Sequence, residues 1–131
     1  MTYKPGKASQ AELDLVVDDM QRVIMRAFEL SEVDFSVVET RRSRAQQELN
    51  IKNKVSWTMD SDHIPNGADE VLAADIFPWR NGETSHSDDD YNLVAKAMFR
   101  AAGELGVELK WGGFWLGERR DTPHWAKRRG T

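Results

Sequence analysis

Apolar residues recur at helical spacing through Leu13, Val16, Val17, Met20, Val23, Ile24, Ala27 and Phe28, which predicts one long amphipathic helix over residues 10–30. Ser9 and Glu12 stand at its start with the spacing of a capping box, in which each side chain satisfies a free backbone N–H of the first turn. Phe35-Ser36-Val37-Val38-Glu39 reads as a strand. Ser43 and Gln46 suggest a second capping box, opening a short helix through residue 50. Residues 51–72 show no clean period, and Pro65-Asn66-Gly67 marks a turn within them. Residues 73–77 form a short apolar run broken by one charge, Asp75; a carboxylate there needs a partner or a function.

Residues 81–90 read as polar loop. Asp88 or Asp89 then caps a helix carrying Leu93, Val94, Ala97, Met98, Ala101, Ala102 and Leu105, and Gly106 closes it as a left-handed C-cap would. A strand is expected over 107–110, a turn at Trp111-Gly112-Gly113, and a last edge strand over 124–126. Helices and strands do not alternate regularly. The expectation is therefore an α+β fold: one small domain over residues 1–131, with a central antiparallel sheet and helices packed mainly on one face.

Composition narrows the chemistry. The net charge of −4 argues against a nucleic-acid partner. Basic residues cluster at Arg41, Arg42 and Arg44, and again at Lys127, Arg128 and Arg129, where the reading is a solvated tail. No run approaches the roughly 18 apolar residues of a membrane span, so no membrane insertion is expected. The start of the chain lacks the apolar segment of a signal peptide, which points to synthesis in the cytoplasm. Cysteine is absent, so any metal must be held by His, Asp or Glu.

The chain has 3 histidines. His86 lies in a polar loop and reads as solvated. His63 precedes the Pro-Asn-Gly turn, and His124 follows Asp121-Thr122-Pro123 near the end. A lone histidine is more often structural than a ligand. Taken together the pieces say more. A catalytic zinc site needs three protein ligands and an open position, which two histidines and one carboxylate would supply. A further carboxylate must then accept a proton. Asp121 could stand beside such a site when His124 is on the metal, or it could simply begin a turn.

These segments resemble the zinc D-Ala-D-Ala peptidase family and its phage relatives, the L-alanyl-D-glutamate endopeptidase endolysins. That family is marked by Ser-x-His-x-x-Gly-x-Ala-x-Asp, then Trp-Gly-Gly-x-Trp, then Asp-x-Pro-His or Glu-x-x-His. This chain has Ser61-Asp62-His63, Gly67, Ala73-Ala74-Asp75, Trp111-Gly112-Gly113-Phe114-Trp115 and Asp121-Thr122-Pro123-His124-Trp125. Lys4-Pro5-Gly6-Lys7 before a long first helix is similar to the small phage enzymes, so the likeness runs over nearly the whole chain. It implies zinc (Zn2+) in a surface cleft, held by His63, Asp75 and His124, with Asp121 as general base. It also implies that Arg42 binds or polarises the substrate, with Gln46 beside it. The chain departs from the family pattern in the ligand spacing: Asp75 lies 12 residues after His63, farther than in the motif, and Asp69 is a rival ligand. Asp75 is preferred because its apolar run is strand-like and an insertion is more easily absorbed in the preceding loop. Phe114 stands where many relatives carry a polar residue, which bears on substrate contact.

The 5 tryptophans, Trp57, Trp79, Trp111, Trp115 and Trp125, read mostly as core or cleft wall. Trp111 and Trp115 flank the Gly-Gly turn, where close backbone approach would suit an extended peptide; both are assigned to substrate binding. The activity implied is hydrolysis of an amide bond in peptidoglycan stem peptides, the preferred bond being L-Ala–D-Glu, with D-Ala-D-Ala carboxypeptidase or dipeptidase action as the runner-up. The rival from another class is a non-catalytic cell-wall-binding module on the same fold, against which the presence of both Asp121 and His124 argues. The partner is then the stem peptide, the expected state a monomer, and no separate cell-wall-binding domain is recognisable. A phage of a Gram-negative host is the expected source, with release to the wall through a holin.

Overall fold

The computed structural model describes residues 2–56 and 58–131; Met1 and Trp57 lie outside them. The elements are α1 (Lys7–Leu13), α2 (Asp18–Leu30), β1 (Asp34–Glu39), α3 (Arg44–Lys52), β2 (Ala73–Arg80), β3 (Glu83–Thr84), α4 (Asp88–Leu105), β4 (Leu109–Trp111) and β5 (His124–Lys127). Two short 3-10 turns, Gly112–Phe114 and Gly117–Arg119, lie between β4 and β5. All strand pairs are antiparallel, in the order β1-β2-β5-β4, with β3 as a short hairpin partner of β2. This is the expected α+β architecture.

The core lies on one face of the sheet. Phe35 and Val37 from β1, Ala74 and Ile76 from β2, Trp125 from β5 and Trp111 from β4 bury themselves against Met20, Val23, Ile24, Ala27 and Phe28 of α2 and Val94, Met98 and Ala101 of α4. Strand side chains alternate between faces, so Asp75, Lys110 and His124, each next to a core-facing residue, are turned to the opposite face.

The long first helix expected over 10–30 is two helices. Backbone between them is diverted: the Val17 N–H donates to the Val71 carbonyl at 2.9 Å, and the Gln21 amide caps the Val16 carbonyl at 2.8 Å. Leu13 and Val16 stay buried on either side of the break, so the apolar period runs through it unmarked. Asp18 and Asp19 in the first turn of α2 were the readable sign of a new N-terminus. The Ser9/Glu12 capping box does not form. α1 starts at Lys7 and lies along the outer edge of β1, where Ser9 Oγ accepts the Val37 N–H at 3.0 Å and Glu12 Oε1 accepts the Thr40 N–H at 2.8 Å. Both side chains cover a sheet edge that would otherwise be open.

Ser43 does cap α3, accepting the Gln46 N–H at 3.1 Å, and Gly106 closes α4 at φ 70°. Asp88 and Asp89 lie inside the first turn of α4, where their charge opposes the helix dipole, and Ser87 holds the cap position. Asn81 and Gly82, expected as loop, form a two-residue hairpin turn with φ of 57° and 81°, the type I′ geometry that Asn-Gly favours. β5 is not an edge strand. It sits between β2 and β4, which fits three consecutive buried residues, His124, Trp125 and Ala126.

Candidate active site

Two registers place the central pair. Asp75 of β2 lies directly opposite His124 of β5, so their side chains stand on the same face within reach of each other. On the other flank, a bulge between Val37 and Glu39 shifts the β1 register and brings Glu39 opposite Asp75. Bulges of this kind re-aim side chains beside active sites. His63 arrives from the loop before β2, its backbone carbonyl accepting the Arg42 N–H at 2.8 Å.

The three side chains converge. His63 Nε2 is 3.0 Å from Asp75 Oδ1 and His124 Nδ1 is 3.5 Å from the same oxygen. One ligand atom from each lies within 4.8 Å of the others. Four ligand positions at about 2.0–2.2 Å from a tetrahedral ion would be separated by about 3.4 Å, so the spacing suits a metal ion. The donor pattern fits as well. His63 Nδ1 lies 2.7 Å from the Thr40 carbonyl, which can only accept, so Nδ1 carries a proton, and a neutral ring would set its Nε2 lone pair against the Asp75 carboxylate. In the protein alone a second proton on Nε2 bridges the two, and a metal ion could take that proton's place. Two acceptors face to face require positive charge between them, and a carbonyl holding the far ring nitrogen is the usual support of a metal-binding imidazole.

Charge around the cluster is consistent with this. In the protein alone, burial would raise the Asp75 carboxyl, but hydrogen bonds and charge from His124 and His63 outweigh it and hold the group well below the ordinary carboxylate range. Burial would lower the His63 imidazole, but the Asp75 hydrogen bond and charge, with the Thr40 carbonyl, raise it overall. Arg42, 12% exposed, sits 3.9 Å from Asp75 Oδ2. Its guanidinium donates to Glu39 through Nε and Nη2, and to Gln47 Oε1 at 2.6 Å. Three of five N–H donors are thus committed to holding the group in place.

Asp121 lines the same cleft, a cavity of about 580 Å³ that also takes in Arg42, His63, Asp75, Trp115 and His124. The Asp121 N–H donates to the Gly112 carbonyl at 2.9 Å, and its own carbonyl accepts the His124 N–H at 3.1 Å. Its side chain is open to solvent in the cleft, yet the surrounding protein and the Asp75 charge raise its carboxyl, with His124, His63 and Arg42 opposing.

The profile of the family described as "Phage L-alanyl-D-glutamate peptidase" matches residues 1–128. The chain belongs to this family. It is 37% identical over 119 residues to the L-alanyl-D-glutamate peptidase of Escherichia phage T5, covering 88% of this chain and 83% of that one. Its fold is similar to the crystal structure of the Serratia marcescens L-Ala D-Glu endopeptidase ChiX, with a TM-score of 0.84, 33% identity, and coverage of 95% and 90% of the two chains.

The fold gathers His63, Asp75, His124, Asp121, Arg42 and Trp115 into one cleft and leaves other candidates out of it. Asp69 is exposed and pairs with Arg41 at 2.9 Å. Gln46 faces solvent and bonds Asn50 at 2.9 Å. The buried amide beside Arg42 is its neighbour Gln47, fully shielded and also donating to Ser56 and the Thr58 carbonyl. Trp111 belongs to the core, its ring stacked 5.2 Å from Trp125 and its N–H donating to the Thr122 carbonyl at 2.8 Å. Trp115 does form cleft wall, its ring 5.0 Å from that of His124. Phe114 packs on Phe99 and Trp111, away from the cleft lining. His86 is exposed, as read. Glu39, Thr40 and Gln47 went unseen because only tertiary contact gives them a role.

At the Gly-Gly turn the chain packs closely on itself. A Cβ on Gly112 would lie 2.2 Å from the Asp121 carbonyl oxygen, and one on Gly113 would lie 2.3 Å from the Trp111 ring. The close approach is made by the chain itself. Gly112→Ala should therefore push the Asp121 backbone outward, and a displacement of about 1 Å can cost on the order of 100-fold in rate. Steady-state kinetics should show this as a fall in kcat while metal binding persists; unchanged kcat would contradict the packing argument.

Proposed function

We propose that this chain is a zinc-dependent endolysin that hydrolyses the L-Ala–D-Glu bond of peptidoglycan stem peptides to lyse the host cell. The observation that carries the reading is the convergence of His63, Asp75 and His124 in one cleft with Asp121. The names of both relatives favour L-Ala–D-Glu over the D-Ala-D-Ala bond. Zinc held by the three ligands would supply Lewis acidity to the scissile carbonyl and to the attacking water. Asp121 takes the proton from that water and hands it to the leaving amine. Arg42, fixed by Glu39 and Gln47, offers its remaining donors to the oxyanion as charge develops there. Trp115 gives the extended stem peptide a flat wall beside His124. In this role the chain acts on the periplasmic wall after holin-type release.

Zinc-loaded protein should carry one zinc per chain by elemental analysis, and His63→Ala or His124→Ala should remove it. Mass spectrometry of digested Gram-negative sacculi should show stem peptides beginning with D-Glu. Cleavage at a different bond, or zinc uptake indifferent to both histidines, would overturn the assignment.

A further inference from the structure

The residue before His63 is a buried carboxylate that the chemistry above does not use. Asp62 has a side chain only 5% exposed, and each of its oxygens is occupied by a cation: Lys110 Nζ lies 2.7 Å from Oδ2 and Arg129 Nε lies 2.7 Å from Oδ1. Burial would raise this carboxyl, but the two hydrogen-bonded cations lower it overall. Arg129 also reaches Asp60, with contacts of 2.8 and 3.0 Å. The Asp62 backbone carbonyl accepts the N–H groups of Leu72 and Ala73 at 3.0 and 3.2 Å. One residue thus joins β4, the segment after β5 and the start of β2 immediately beside His63. The basic tail read as solvated is tied down: Lys127 pairs with Asp19 at 2.8 Å and Arg129 with Asp60 and Asp62.

We propose that Arg129 and Lys110 are positioning residues for His63, acting through the Asp62 carboxylate. An exposed ion pair contributes little, but a buried carboxylate that loses a partner must find another or move toward water. Movement of Asp62 carries the adjoining His63 backbone with it. His63 is held from its other side by Thr40, so a shift strains that hydrogen bond and misaligns Nε2 toward Asp75. Loss of a group bonded directly to a ligand, as the Thr40 carbonyl is to His63, typically changes metal affinity by about 10–100-fold, and groups that act one step farther out fall at the low end of that range.

The inference rests on the metallopeptidase reading only in taking His63 as a ligand. The test uses the full chain with Arg129→Ala, Arg129→Lys and Asp62→Asn. Zinc affinity is measured by competition with a chromophoric chelator, and the His63 Nδ1–H is followed by NMR in zinc-free protein. Arg129→Ala should weaken zinc by on the order of 10-fold and speed exchange of the His63 Nδ1–H. Arg129→Lys, which keeps a cation, should recover most of both and guards against a folding defect as the cause. Adding Arg129→Ala to Asp62→Asn should cost little more, since the arginine acts through that carboxylate. Wild-type zinc affinity and an unmoved His63 signal in Arg129→Ala would overturn the proposal. A wild-type chain that takes up no zinc would defeat the metallopeptidase reading while leaving the His63 signal to decide this one.

Discussion

Asp75→Asn is expected to abolish lysis and weaken zinc binding by more than the roughly 10–100-fold that loss of a supporting group costs, while Asp69→Asn leaves both near wild type. The two aspartates were rivals on sequence, and their surroundings now differ in kind. Asp75 extends from a strand whose register sets it opposite His124, and its Oδ1 lies 3.0 Å from His63. The amide of asparagine keeps the shape but removes the negative charge that this ligand would contribute to a divalent ion beside two neutral imidazoles. Asp69 is at φ 59°, its side chain 78% exposed and paired with Arg41. Asparagine tolerates that left-handed backbone well, and an exposed pair contributes about 0–1 kcal/mol. Zinc titration of both variants, with turbidity loss of permeabilised Gram-negative cells, separates the cases. An Asp75→Asn protein that binds zinc like wild type would mean that the carboxylate is not a ligand.

What the sequence made legible followed from how local each signal was. The α4 stripe, its Gly106 cap and the Ser43 cap depend on neighbours within a turn, and they form as read. The Asn81-Gly82 hairpin is an equally local signal, masked by the polar segment around it. The break at residues 14–17 was invisible to periodicity, since both helices bury the same stripe. Other features exist only across the fold. No local pattern tells that β5 is central, or that a bulge at Val38 turns Glu39 toward Arg42. The convergence of His63, Asp75 and His124 was anticipated through the family motif, not through spacing along the chain. The same motif could not tell Gln46 from Gln47. Burial decides that, since Gln47 is fully shielded against Arg42 and Gln46 is in solvent. Trp111 is ambiguous for a similar reason: an aromatic beside glycines suits a cleft wall or a packed ring, and the 5.2 Å stack on Trp125 places it in the core.

Asp121→Ala should retain zinc and lose turnover by on the order of 10²–10⁴-fold, the contribution of a positioned acid–base group. Retention follows from geometry, because the ligand atoms that converge belong to His63, Asp75 and His124. Loss of rate follows from placement. The Asp121 backbone is pinned on both sides, to the Gly112 carbonyl and to the His124 N–H, so its carboxylate is presented to the cleft beside the last ligand. Its raised carboxyl suits a group that must both take up and release a proton. Alanine removes the carboxylate without touching those backbone bonds, so the fold and the position of His124 should survive. The expected signature is a fall in kcat with KM little changed, because the lost interaction belongs to the transition state and not to substrate binding. Near-normal turnover would show that another group carries the proton. Loss of zinc together with turnover would place Asp121 on the metal and remove it from the role of base.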